Sequence, residues 1–170
     1  MDKARGVLGA IIVVVIIIVA VFFGSKTDKA VAYNDKIVAQ QARIVKAMTD
    51  VFNADDPSVM GQRLDAAIPV IDDAIKTVKA MDAFEGNTEL RDTAVKLFEF
   101  YKSIGDVDYR EMIEIGKKGP EPSEEDQKRM MAIQEDVSQR EEVLDAEMER
   151  VQAAFASKHD FQLKPTELPR

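Results

Sequence analysis

Cysteine and tryptophan are absent from the 170 residues, and there is a single histidine. Without cysteine there are no disulfides, no thiol nucleophile and no thiolate metal site. The lipidated cysteine of a bacterial lipoprotein is missing too. Only 8 glycines and 6 prolines occur, and aromatic residues make up 6%. So few turn-formers argue against a β-rich fold and for long helices. The glycines never approach the spacing of a phosphate-binding loop.

Positive charge is also in short supply. The formal net charge is −8. Setting aside Asp2, Lys3 and Arg5, the chain carries 21 basic and 30 acidic residues. Such a body repels phosphate backbones, and no basic stripe interleaved with aromatics runs through it, so nucleic acid is excluded as a partner.

What is present begins with VLGAIIVVVIIIVAVFF, Val7–Phe23, 17 residues without a charged or hydrogen-bonding side chain. With Gly6, Gly24 and Ser25 it would span roughly 30 Å as a helix, the thickness of a hydrocarbon layer. Its many β-branched residues would suggest a buried strand in water. In lipid the backbone must satisfy itself, which selects helix. Lys3 and Arg5 flank one end, Lys26 and Lys29 the other. A cleaved secretion signal is the main alternative, and a buried soluble helix a third. The run exceeds a signal's usual apolar core of about 7–15 residues. The one Ala-x-Ala sequence, Ala30-Val31-Ala32, lies beyond three charged residues. The expectation is a retained single-pass anchor over 7–25 after a short tail, 1–6. The free amino terminus tips the positive-inside comparison toward a cytoplasmic N-terminus and an extracytoplasmic body.

The remainder reads as four amphipathic helices over 28–160 and an irregular tail over 161–170. Tyr33, Ile37, Ile44, Met48, Val51 and Phe52 keep helical spacing with Gln41 on the same face. Asp56-Pro57 is an N-cap followed by proline at the first helical position. Pro69 falls inside the second segment and predicts a kink. Asn87 or Thr88 caps the third, the most apolar. Within it Gly105 and Asp108 interrupt the pattern. Either the helix restarts with Asp106 as a new cap, the preferred reading, or Asp108 is a buried carboxylate that needs a partner. Ser123 and Asp126 form a capping box ahead of the last helix. That helix has a narrow stripe, Met130, Ile133, Val137, Leu144, Met148, Val151 and Phe155, like a coiled-coil seam, with Arg140 and Glu141 in its one gap. The predicted fold is all-α: a transmembrane helix followed by an antiparallel, up-down four-helix bundle. The Phe84–Asn87 loop and the His159–Leu163 tail would share the membrane end. The Asn53–Pro57 and Lys117–Ser123 connections would share the far end.

Chemistry is sparse. His159 lacks a nucleophile and an orienting partner and reads as a solvated helix-end residue. A di-iron bundle needs two Glu-x-x-His motifs, which one histidine cannot supply. The acidic run Glu141, Glu142, Asp145, Glu147 and Glu149 lies on a helix, lacks calcium-loop spacing, and reads as a solvated face. No catalytic residue, cofactor or metal ligand is expected. Met48, Met60, Met112, Met130 and Met131 map to the far half of the bundle. They are either core filler or an adaptable surface for a partner helix or apolar ligand. Tyr109 is expected on the polar side and joins them as a contact candidate.

The blocks YNDKIVAQQARIVKAM, LFEFYKSI, DYREMIEI and FASKHDFQL resemble a group of small, uncharacterised bacterial envelope proteins known only as family surface proteins. The similarity covers Tyr33 to Leu163. Most members begin with a lipoprotein signal, from which this chain departs. IIVVVIIIVAVFFG with Tyr33-Asn34 following is similar to the start of LemA-type anchored helical proteins, without their continuation. Both resemblances imply an anchored, non-enzymatic helical protein, here one that binds or scaffolds through a helix face or the distal end. The alternative expectation is an extracytoplasmic sensor or carrier with a small apolar ligand inside the bundle.

Overall fold

The computed structural model describes residues 17–21 and 25–166. The elements in chain order are β1 (Ile17–Val21), α1 (Ser25–Phe52), α2 (Pro57–Lys79), α3 (Glu89–Ile104), a π-helical turn (Gly105–Tyr109), α4 (Arg110–Lys117), α5 (Glu124–Lys158) and β2 (Gln162–Thr166). Gly105 and Arg110 both keep right-handed helical dihedrals. α3, the π turn and α4 are therefore one rod, and the bundle has four long helices, as the spacing predicted.

The helix ends follow from local chemistry. Asp56 accepts from the amides of Ser58 at 2.7 Å and Val59 at 3.2 Å, with Pro57 opening α2. Ser123 accepts from the Asp126 amide at 3.1 Å and donates to its carboxylate at 2.9 Å, the reciprocal bonding of a capping box. Thr88 occupies the N-cap position of α3 without a side-chain cap bond, and Asn87 before it accepts from the Glu89 amide at 2.7 Å. Between α2 and α3, Phe84 and Asn87 exchange two backbone bonds of 2.9 Å. Glu85 and Gly86 lie between them at φ +50° and +82°. Two positive φ values in succession are those of a two-residue type I′ turn. α2 runs through the exposed Pro69 without a break.

Cross-helix pairs fix the topology. Arg43–Asp73 joins α1 to α2, and Arg110–Asp65 joins α4 to α2. Lys96–Glu147 and Asp108–Arg140 join the third rod to α5. Gln152 donates to Asn34 at 2.7 Å and closes the ring between α5 and α1. Arg63 also donates to the Asp50 carbonyl and Lys79 pairs with Glu99. Along each of the first three contacts one residue number rises as the other falls, so consecutive rods are antiparallel and the order around the ring is up-down-up-down. The core holds Ile37, Ile44, Leu64, Ile71, Leu97, Phe98 and Ile104, none more than 1% exposed. Asn34 at 0% and Gln152 at 3% form a buried amide pair within it. The Gln152 amide donates to Asn34, and the Asn34 amide donates to Asp35 at 3.3 Å, which makes that burial tolerable.

The ends group as the loop lengths predicted. Ala30, Val31, Ala156 and Phe161 form a small core at one end, with Phe84, Phe155 and Leu163 against it. Ser58, Gly61, Ile113 and Lys117 share a groove at the other.

The N-terminal expectation needs correcting where it can be compared. Most of the expected 7–25 span lies outside the described residues, as does the tail 1–6. The described piece, Ile17–Val21, is a strand and not a helix. It pairs antiparallel with Gln162–Thr166, Ile17 opposite Thr166 and Val21 opposite Gln162. The tail expected to be irregular is thus extended over those residues. β-branched side chains favour this conformation wherever a partner strand can take the backbone bonds. Among the described residues no helix is long and apolar enough to cross a membrane, and the first bundle helix begins at Ser25 rather than continuing an apolar rod.

Candidate functional site: a polar seam at the π turn

The π turn solves a spacing problem that the sequence poses at Gly105–Tyr109. An extra residue per turn shifts the register of α4 relative to α3 without breaking the rod. At Gly105 the rod lies close against α2. A Cβ there would stand 2.9 Å from the Ile68 Cδ1 and 3.6 Å from the Leu64 Cδ1. The expected fresh cap at Asp106 does not occur. Asp106 instead accepts from Lys102 at 2.6 Å, within the same rod. The register shift turns Tyr109 into the core, at 1% exposure, where it meets Phe52 edge-on at 5.0 Å. Tyr109, expected on the polar side, is therefore a core residue.

The same shift aims Asp108 at α5. Arg140 donates to it at 2.9 Å and also pairs with Asp136 at 2.8 Å. The guanidinium lies over the Phe100 ring, 5.4 Å from its centre. Asp108 is thus the partnered carboxylate of the second sequence reading, its side chain 16% exposed. Arg140 fills the gap in the apolar stripe of α5 because an ion pair and an aromatic face stand opposite it.

Glu141 and Asp145, one turn apart on α5, face inward beside this pair. They are half-buried, which corrects the reading of the acidic run as uniformly solvated. Tyr101, 2% exposed, donates to Asp145 at 3.5 Å. Burial, with the Asp145 charge adding to it, pushes the Glu141 carboxyl up to about 7. Burial, then the charge of Glu149, raises Asp145 to about 6, against the bond from Tyr101. Burial holds both tyrosine hydroxyls far above their ordinary range, so they remain neutral. The Tyr109 hydroxyl, Glu141 Oε1 and Arg140 Nε are buried without a protein hydrogen-bond partner. This seam can hold and release protons. Among the described residues no group of three or more acidic or histidine side chains could hold a metal ion.

Of the methionine set, Met48, Met60, Met112 and Met130 are 1–4% exposed and belong to the main core. Met131, at 64%, faces solvent. With Tyr109 inside as well, the distal candidates form packed core rather than a surface, except at Met131. A groove of roughly 430 Å³ between α2 and α4 is lined largely by charged and polar residues, including Asp65, Arg110 and Lys117.

A second cluster escaped the sequence reading. Tyr33, Phe84, Phe155 and Phe161 meet at the end that carries β1 and β2, with ring centres 5.1–6.0 Å apart. His159 packs into it, 4.6 Å from Phe155 and 4.9 Å from Phe84. The histidine is half-buried against aromatic rings, not solvated. These rings come from α1, the type I′ turn, α5 and the tail. Tyr33 and Phe155 were stripe positions, and the loop with Phe84 and the tail with His159 and Phe161 were expected at one end, but nothing in the spacing showed that the rings meet.

No family model, curated protein or solved structure matches this chain.

Proposed function

We propose that this chain is a membrane-anchored helical bundle of a cell envelope, with a non-enzymatic role in binding or scaffolding. The anchor is the apolar run Val7–Phe23, whose Ile17–Val21 segment would leave its pairing with Gln162–Thr166 and turn helical on entering lipid, and the body lies on the extracytoplasmic side. The observation that carries this reading is the length and purity of that run, 17 residues without a polar side chain, joined to a bundle that has an apolar core of its own. Such a core forms without a further apolar segment, which leaves the run for lipid. Partners would engage the outer helix faces or the distal end, near Met131. The reading as a carrier of a small apolar ligand is less well supported, because the distal methionines are packed and the groove beside them is polar.

Fractionation of cells expressing the full chain tests the proposal. The protein should stay with membranes through alkaline carbonate and leave only with detergent, and its mature N-terminus should precede Val7. Recovery in the carbonate-soluble fraction, or a mature start after Phe23, would remove the anchor.

A further inference from the structure

Two carboxylates of α5 point into the bundle where no cation answers them. Glu141 and Asp145 stand at i and i+4, the spacing at which like charges repel on a helix. Arg140 gives its Nη2 to Asp108 and Asp136, and its Nε, buried without a partner, bonds to neither Glu141 nor Asp145. Among the described residues no Lys or Arg pairs with Glu141 or Asp145. From α3 the seam presents the Tyr101 hydroxyl, and from the π turn it presents Asp108 and the Tyr109 hydroxyl, itself unpartnered. Glu149 adds negative charge beyond Asp145. The register set by Asn34 and Gln152 brings Gln41, Val45 and Met48 of α1 to this level, all buried and none charged.

An ionised carboxylate in such a place loses hydration and gains no counter-ion. A neutral one avoids that cost and supplies an O–H donor among oxygen acceptors. The contact between these elements is less continuously apolar than that between α1 and α2. A π turn carries a mismatched backbone ladder, and α5 has polar residues through the middle of its stripe.

We propose that the contact between the π-turn rod and α5 is a pH-operated latch, closed while Glu141 holds a proton and loosened once Glu141 and Asp145 are both ionised. The sign of the effect is opposite to that of most carboxylates. Both groups release their protons at higher pH folded than unfolded: Glu141 moves from 4.5 to about 7 and Asp145 from 3.8 to about 6. Below about pH 4 the folded chain has the full benefit. Stability then falls as pH rises through the folded values. An extracytoplasmic body would meet such a range of pH, so the latch gains a physiological input if the proposed anchor is correct. Its physical chemistry does not depend on the anchor.

The test is thermal unfolding of the full chain in detergent at pH 5 and pH 8. The wild-type Tm should fall by on the order of 5 °C, a figure that allows for the partial exposure of both groups. Glu141→Gln should abolish more than half of that fall and raise Tm at pH 8. Glu142→Gln, at an exposed neighbour, should behave as wild type. A wild-type Tm that is level or rises from pH 5 to pH 8, or a Glu141→Gln slope equal to wild type, would overturn the latch. Should Glu141→Gln not fold, carboxyl-carbon NMR titration of Glu141 in the wild-type chain decides. A midpoint between 6 and 8 supports the proposal, and one below 5 overturns it. If only the anchor fails, the pH dependence persists in a detergent-free preparation.

Discussion

The α1–α2 contact and the contact of the π-turn rod with α5 are built from similar amphipathic helices, yet they differ inside. Between α1 and α2, Ile37, Ile44 and Val51 meet Leu64, Ile71 and Val78, none above 1% exposed. Charges such as Arg43–Asp73 stay at the rim, both partners about half exposed. Between the rod and α5, the apolar stripe is interrupted by Arg140 and Glu141, and the opposing surface supplies Tyr101, Asp108 and Tyr109. The first contact depends on apolar burial, which is insensitive to pH. The second depends on protonation and on one guanidinium shared between two carboxylates. A single bundle thus has one side held by continuous packing and one whose packing is interrupted by polar groups that can change state.

The contrast can be broken most severely on the apolar side. Leu64→Ala should lower unfolding free energy by about 3 kcal/mol, read by denaturant titration, because it opens a cavity at a fully buried site beside Gly105. Asn34→Ala should cost about 1–2 kcal/mol by the same measurement, since Gln152 loses its buried partner. Asp108→Asn should cost about 1 kcal/mol and lower that cost in high salt, the pair being partly exposed. Smallest of all, Tyr109→Phe should leave stability unchanged or raise it by up to about 1 kcal/mol. Its hydroxyl is buried without a partner, and removing it relieves a desolvated polar group. A loss above about 2 kcal/mol would mean that the hydroxyl is bonded, and the description of the seam would be wrong.

Apolar spacing revealed the four helices, because each keeps a helical repeat over several turns and their caps are local. Asp56-Pro57, Asn87 and Ser123-x-x-Asp126 act within a few residues, so they could be read one dimensionally. The seam could not. Whether the helix restarts at Asp106 or Asp108 pairs across the bundle depends on an extra residue in the turn at Gly105, and that insertion has no periodic signature. The misplacement of Tyr109 follows from the same residue, since an unbroken α-helical register puts it on the polar side. Glu141 was visible only as a gap in a stripe, and a gap does not say what stands opposite. The aromatic cluster needed four separated elements to meet, which is long-range information. The strand at Ile17–Val21 reflects a choice between helix and strand for β-branched residues that their surroundings decide, with Gln162–Thr166 as the available partner.

The difference between the two contacts is most directly measured by amide hydrogen exchange of the full chain at pH 5.5 and pH 8, corrected for intrinsic rates. The account predicts that protection across Phe98–Met112 and Val137–Met148 falls at least several-fold at the higher pH, while Ile37–Val51 and Leu64–Val78 keep theirs. Equal losses on both sides, or a gain at the seam as pH rises, would contradict it.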